Sequence, residues 1–209
     1  MPGVLITVEG VEGSGKSTQC RRLGEHLRAR GLEVVLTGEP DGTALGLAIR
    51  RLFEGEKIPT PLAQSFLFMA ARQQHVSQLI RPALERGAAV ICDRYADATL
   101  AYQGYGQGLD LQTIRELNAL ATGGVTPDLT VLLDLDPRQG MARIDGRPLD
   151  AFERMDLGFH RRVRDGYLEI ARAEKSRVII CAADQGEVAL HAEIARAVDE
   201  RLALRGLVP

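Results

Sequence analysis

Five short runs along the chain are almost wholly apolar: residues 4–9, 33–37, 88–93, 129–134 and 177–182. Each is shorter than an ordinary helix and rich in Val, Ile and Leu, so each predicts a strand buried on both faces. Between them, apolar residues recur every three or four positions, predicting helices over 17–30, 43–54, 61–86, 111–121, 154–174 and 187–204. Strands alternating with helices imply a five-stranded parallel sheet covered on both sides, a three-layer, doubly wound α/β fold. No repeat, low-complexity tract or linker-like stretch interrupts the pattern, so residues 1–209 read as one domain. In open sheets of this kind ligands bind beyond the carboxyl ends of the strands, and chemistry is expected there.

The first strand runs into Gly10-Val11-Glu12-Gly13-Ser14-Gly15-Lys16-Ser17, which matches G-x-x-x-x-G-K-[ST], with Thr18 following. Glycines let backbone N–H groups wrap an anion, and the helix that opens behind them adds the positive end of its dipole. Lys16 would reach the β- and γ-phosphates and the Ser17 hydroxyl would ligate Mg²⁺. Arginine outnumbers lysine 23 to 3, so a lysine at this position is not a by-product of composition. The loop predicts a nucleoside triphosphate site, but it does not choose among a GTPase, a mechanical ATPase and a small-molecule kinase. A guanine-reading N-K-x-D is absent from the chain, which weighs against the first.

The third strand ends in Asp93-Arg94-Tyr95. An acid beside the phosphate loop can hold Mg²⁺ through water, and an arginine next to it can fork onto a second phosphate group. The net charge of −2 supplies no basic field for nucleic acid or an anionic membrane surface, so neither is an expected partner. No stretch has the length and apolarity of a membrane span, and the N-terminus lacks a signal-like pattern. Cys20, Cys92 and Cys181 are isolated, as expected of reduced thiols in a cytoplasmic protein.

Taken in order, "EGVEGSGKST", "TGEPDGTALGLAIR", "FLFMAARQQHV", "CDRYADATLAYQG", "TPDLTVLLDLDP", "GMARIDGRPLDAFE" and "GYLEIA" resemble the thymidylate kinases, within the nucleoside monophosphate kinases. The likeness spans nearly the whole chain. It implies transfer of a phosphoryl group from ATP to dTMP, a Mg²⁺ requirement, a mobile lid at about 141–155 and a homodimer. It further implies that Phe68 stacks on thymine, that Arg72 donates to the base, and that Thr99 and Gln103 lie at the base edge. Tyr102 would pack on the deoxyribose, Glu12 would accept from its 3′-hydroxyl, and Arg50 and Arg94 would grip the 5′-phosphate. Residues 181–185 correspond to the family's adenine site.

Helical geometry bears on the acceptor side independently. At about 100° per residue, Leu62, Phe66, Met69, Val76 and Ile80 fall within about 80° of each other and predict a core stripe. Phe68, Arg72 and His75 form a second stripe roughly 100° away, with His75 expected to serve structure.

The chain departs from the family pattern at Gly38, where an arginine is usual, at Asp41, where a glycine is usual, and at Ala98, where serine is common. It also carries Ala151 at the usual lid arginine. The resemblance implies a cation on the transferring group, drawn either from the phosphate loop or from the lid. The loop's variable residues Val11, Glu12, Gly13 and Ser14 include no basic one, so the lid is expected to provide it. If the lid is helical when closed, Arg147 lies one turn from Ala151 on the same face, with Arg143 and Arg154 as further candidates. Two other functions stay open at this stage. One is a kinase for another pyrimidine nucleotide such as dUMP, the other a P-loop ATPase serving as an interaction module.

Overall fold

The computed structural model describes residues 3–55 and 58–203. Its five strands are β1 (Val4–Gly10), β2 (Val34–Gly38), β3 (Ala89–Asp93), β4 (Leu129–Asp134) and β5 (Val178–Ala182). They form one all-parallel sheet in the order β2-β3-β1-β4-β5. β1 is central and buried along its whole length, with Val4, Leu5, Ile6 and Val8 supplying its apolar faces. Parallel pairing demands crossovers, and the helical stretches supply them: α1 (Lys16–Ala29), α2 (Ala44–Arg51), α3 (Pro61–His75), α4 (Arg81–Glu85), α5 (Ala96–Thr99), α6 (Leu111–Thr122), α7 (Pro137–Arg143), α8 (Leu157–Ala173) and α9 (Glu187–Ala203).

The period of two along each strand divides the core into two layers. Val4, Ile6 and Val8 of β1 join Ile91 of β3 in a cluster with Leu23 and Leu27 of α1 and Phe159 and Val163 of α8. Leu5 points the other way and meets Val90 and Cys92 of β3, with Val76, Ile80 and Ala83 from the α3–α4 rod. The three-layer arrangement thus follows from strand alternation.

Four local expectations need correction. The single helix over 61–86 is a continuous rod, but a π-helical turn over Val76–Ile80 separates α3 from α4. Pro82 at the start of α4 lacks an N–H, which removes one i→i−4 bond and favours the wider turn. A helical stretch that periodicity did not indicate follows β3: α5 continues into a π-helical segment, Leu100–Gly106. The helix expected over 154–174 starts only at Leu157, where Asp156 caps it by accepting from the Phe159 N–H at 2.7 Å. Finally, Leu62 and Phe66 do not belong to the core: they are 46% and 54% exposed, while Met69, Val76 and Ile80 on the same stripe are buried. Leu204, the expected end of the last helix, lies outside the described residues.

Candidate active site

Every functional element converges on the carboxyl ends of β1 and β3, where one cavity of about 580 Å³ opens. The loop after β1 turns tightly enough to lead straight into α1 because two glycines permit it. Gly15, at φ 93°, is the N-cap of α1. Gly13, at φ 68°, lies so close to α7 that a Cβ there would stand 2.1 Å from the Gly140 carbonyl oxygen. The Lys16 ammonium is folded inside this loop, donating to the Gly10 and Val11 carbonyls at 3.0 and 2.8 Å. Burial, then repulsion from Arg94, brings its pKa down to about 8, against opposing attraction from Asp93, Glu12 and Glu9. Ser17 donates from Oγ to Asp93 Oδ2 at 2.6 Å. A hydroxyl and a carboxylate in contact at a phosphate loop are the hard-oxygen donors that Mg²⁺ takes alongside water and phosphate.

Arg94 sits at φ 65°, in the left-handed region that costs a side-chain-bearing residue of order 1–3 kcal/mol. Its N–H donates to Val8 O at 3.0 Å, and its guanidinium turns back over the loop to Glu12 Oε1 at 3.0 Å. It also lies 4.8 Å above the Tyr102 ring centroid. Glu12 is the acceptor in this cluster: the Tyr102 hydroxyl donates to Oε1, and His160 Nδ1 lies 3.3 Å from Oε2. Burial works to raise the Glu12 pKa, but His160, Arg94 and Lys16 together hold it well below the usual carboxylate range. His160 itself is raised, because the Glu12 carboxylate outweighs the effect of burial.

On the opposite wall, Phe68 of α3 stacks on Phe53 with centroids 5.0 Å apart, and Phe152 packs beside both. Arg72 is buried with each of its five donors engaged. Nε and Nη2 reach Glu39 Oε2 at 2.9 and 2.6 Å, Nη1 reaches Asn118 at 2.6 Å, and Nη2 reaches Tyr95 O at 2.9 Å. The Thr99 hydroxyl is shared between Nη1 and Nη2 at 3.2 and 3.1 Å, the longest of these oxygen contacts. His75 completes the hub, 2.7 Å from the Thr37 hydroxyl and 3.4 Å from Glu39, a structural position.

The cavity lining includes Glu12, Gly13, Gly15, Lys16, Ser17 and Thr18 from the loop and helix start, and Arg50, Phe68, Arg72, Asp93, Arg94, Thr99, Tyr102 and Gln103 from the other walls. Gly10, Val11 and Ser14 are buried behind the loop, and Val11 and Gly10 contribute the carbonyls that hold Lys16. Gln103 donates to Gln64 at 3.3 Å. From the segment 141–155, Arg143 and Arg147 line the cavity. Arg143 donates to Gly13 O at 3.2 Å and to Ala183 O at 2.9 Å, bridging the loop to the exit of β5. Arg147 is held by Glu153, Nη2 to Oε1 at 2.5 Å. Arg154 turns elsewhere, to the Leu149 and Gly55 carbonyls.

Residues 144–156 are not helical in this structure. They form turns, with Gly146 at φ 86°, and Ala151 is buried with its N–H on Phe53 O. Arg147 and Ala151 therefore share no helix face. Sequence reasoning also missed two buried groups. His160 has no signal of its own on a helix whose spacing marks only core. Glu9, wholly buried, accepts from the Tyr95 N–H at 2.7 Å and the Tyr167 hydroxyl at 2.8 Å. Burial and the nearby Asp97 carboxylate raise its pKa to about 7 in spite of those donors.

A glycine loop that caps a helix, encloses a lysine and faces a hydroxyl–carboxylate pair is the construction of the P-loop nucleotide-binding proteins. The central strand flanked by β3 and β4 places this chain in that class. A family profile described as Thymidylate kinase matches residues 8–194. Thymidylate kinase of Deinococcus radiodurans is 50% identical over 95% of this chain and 98% of its own. That of Exiguobacterium sp. is 46% identical over 99% of each. The crystal structure of thymidylate kinase from Ehrlichia chaffeensis matches with a TM-score of 0.80 at 35% identity, over 95% of this chain and 99% of that one. The chain belongs to the thymidylate kinase family.

Two predictions follow from the buried charges. The folded protein keeps the Glu9 proton up to about pH 7, whereas the unfolded chain releases it near 4.5. The native state binds more protons in that window, so Glu9 lowers stability as pH rises through it, by about 3 kcal/mol in total. Urea denaturation should show the stability difference between the wild type and Glu9→Gln changing by that amount between pH 4.5 and 8. A constant difference would mean that Glu9 is ionised in the fold. Separately, Arg72→Ala leaves Glu39 buried without its cation and should cost about 3–5 kcal/mol, with partial recovery in Arg72→Ala/Glu39→Gln. A single-variant loss below about 1 kcal/mol would remove the pair from the fold's supports.

Proposed function

We propose that this chain transfers the γ-phosphoryl group of ATP to dTMP, giving dTDP and ADP. Family membership supports the reaction. The observation that carries the site assignment is that Phe68, Arg72 and Tyr102 line the same cavity as Lys16 and Ser17. The loop amides and the α1 N-terminus hold the donor phosphates, and Lys16 leaves its loop carbonyls for the β- and γ-phosphate oxygens. Ser17 and Asp93 would hold a Mg²⁺ ion, directly and through water, and its charge would offset that of the donor phosphates.

On the acceptor side, Phe68 stacks on thymine, with Arg72, Thr99 and Gln103 at its edge and Tyr102 against the deoxyribose. Arg50 and Arg94 hold the 5′-phosphate. Glu12 accepts from the 3′-hydroxyl; it lines the cavity, and among the described residues its Oε2 meets the His160 ring at 3.3 Å and no other donor, which leaves acceptor capacity for that role. The acceptor monophosphate has a second pKa near ~6 and is already largely dianionic, so the reaction calls for no general base. The barrier lies in aligning two polyanions and excluding water. Residues 141–155 serve as the lid that does so, within a single domain spanning 1–209.

A homodimer fits the exposed Leu62 and Phe66, one turn apart on α3, beside exposed Leu45 and Leu52 at the ends of α2. Among the described residues no helix is long and apolar enough to cross a membrane, and all three cysteines are free. The free thiols support a cytoplasmic setting.

Turnover with dTMP, dUMP, UMP, dCMP and dGMP tests the assignment. dTMP should give the highest kcat/KM, and Lys16→Ala should lower kcat at least about 10²-fold in a folded protein. ATP hydrolysis with no acceptor used would overturn it. For the lid, Arg147→Ala should lower kcat about 10²–10³-fold with little change in dTMP KM, as expected of a contact made in the transition state. Arg143→Ala should act more weakly, and Arg154→Ala least, since its donors go to backbone carbonyls outside the cavity. A larger kcat loss at Arg143 than at Arg147 would transfer the role.

A further inference from the structure

We propose that Asp41 sets how tightly the acceptor phosphate is held, by competing with that phosphate for Arg50. The inference rests on reading Arg50 as a ligand of the 5′-phosphate. Asp41 Oδ2 accepts from Arg50 Nη1, and both residues line the cavity. The strand end beside them is Gly38, which adds no side chain, so Arg50 is the cation that the β2–α2 wall presents.

Two observations distinguish this pair from a structural one. The Asp41 and Arg50 side chains are 36% and 55% exposed, whereas those of Glu39 and Arg72 in the same cavity are 7% and 2% exposed. Exposed pairs are screened by water, contribute little to stability and exchange partners readily. In addition, Asp41 Oδ1 has no hydrogen-bond partner among the described residues although the atom itself is buried. Half of the carboxylate is therefore left unmet, which a built structural pair would avoid. The backbone gives no other reason for the residue: Asp41 does not adopt positive φ, so the position neither requires glycine nor strains a side chain.

A phosphate dianion arriving at Arg50 meets the Asp41 carboxylate on the same guanidinium. Either the carboxylate swings away or two anions share one fork, and both weaken binding. Neither acts on charge that develops during transfer, so the effect falls on acceptor binding rather than on turnover. The competing account is that Asp41, three residues before Ala44, stabilises the N-terminus of α2. That account predicts a loss of thermal stability on substitution and no gain in affinity.

The test is steady-state kinetics of Asp41→Asn and Asp41→Gly, with thermal unfolding of each. We expect dTMP KM to fall about threefold to tenfold, with kcat and ATP KM moving less than about twofold. Inhibition by thymidine, which lacks the phosphate, should stay unchanged. In an Arg50→Ala background, which itself raises dTMP KM, Asp41→Asn should lose most of its effect. An unchanged or raised dTMP KM in both Asp41 variants overturns the proposal, as does a gain that persists undiminished without Arg50. If Arg50→Ala leaves dTMP KM untouched, the phosphate assignment of Arg50 fails instead. If the wild type does not phosphorylate dTMP, the reading of function fails.

Discussion

A guanidinium removed from water must find an acceptor for every N–H and a carboxylate for its charge, and the burial of Arg72 imposes that demand on four parts of the chain at once. Glu39 answers from the turn after β2, Tyr95 from the turn after β3, Thr99 from α5, and Asn118 from α6. Asn118 in turn donates to Ala96 O at 3.0 Å, which fixes the start of α5. Because the hub joins segments distant in sequence, it sets the separation of the cavity's walls. The same network holds α3 in the register that presents Phe68 to the cavity, so packing and cavity shape share one constraint.

The second concentration of charge, around Glu12, is built on backbone geometry rather than on a long side chain reaching inward. Parallel pairing of β1 with β3 brings Val8 opposite Asp93, so Arg94 must leave the sheet just where the phosphate loop begins. Its left-handed φ turns the guanidinium back over the loop, and the contacts with Glu12 and Tyr102 offset the local strain. Arg94 is thus aimed by the backbone itself, whereas Lys16 is folded back on its loop carbonyls.

The features legible in the sequence were those with a local cause. All five strands followed from short apolar runs, and the loop followed from its glycines and lysine. The failures share a different origin. Leu62 and Phe66 have the spacing of a core stripe, but spacing reports an apolar face without saying what covers it. Glu9 and His160 act through partners 158 and 148 positions away in sequence, Tyr167 and Glu12, which no window detects. The non-helical run through Arg147 did have a local cause: Gly146 and Pro148 flank it, and both residue types disfavour helix interior.

Exposure sorts the cavity's ion pairs by what they can do. Arg72 and Glu39 cannot separate without stranding a charge in low dielectric, so they act as scaffold. Arg147 is half exposed while its partner Glu153 is buried and also accepts from the Asp150 N–H at 2.9 Å. Glu153 thus keeps a backbone donor when Arg147 departs, and the arginine can move without leaving a fully unmet carboxylate. Arg50 and Asp41 are both exposed, and either can turn to water. A cavity that must admit and release polyanions needs this gradation. Fixed pairs preserve its shape, and exchangeable pairs let its charge be claimed by whatever enters.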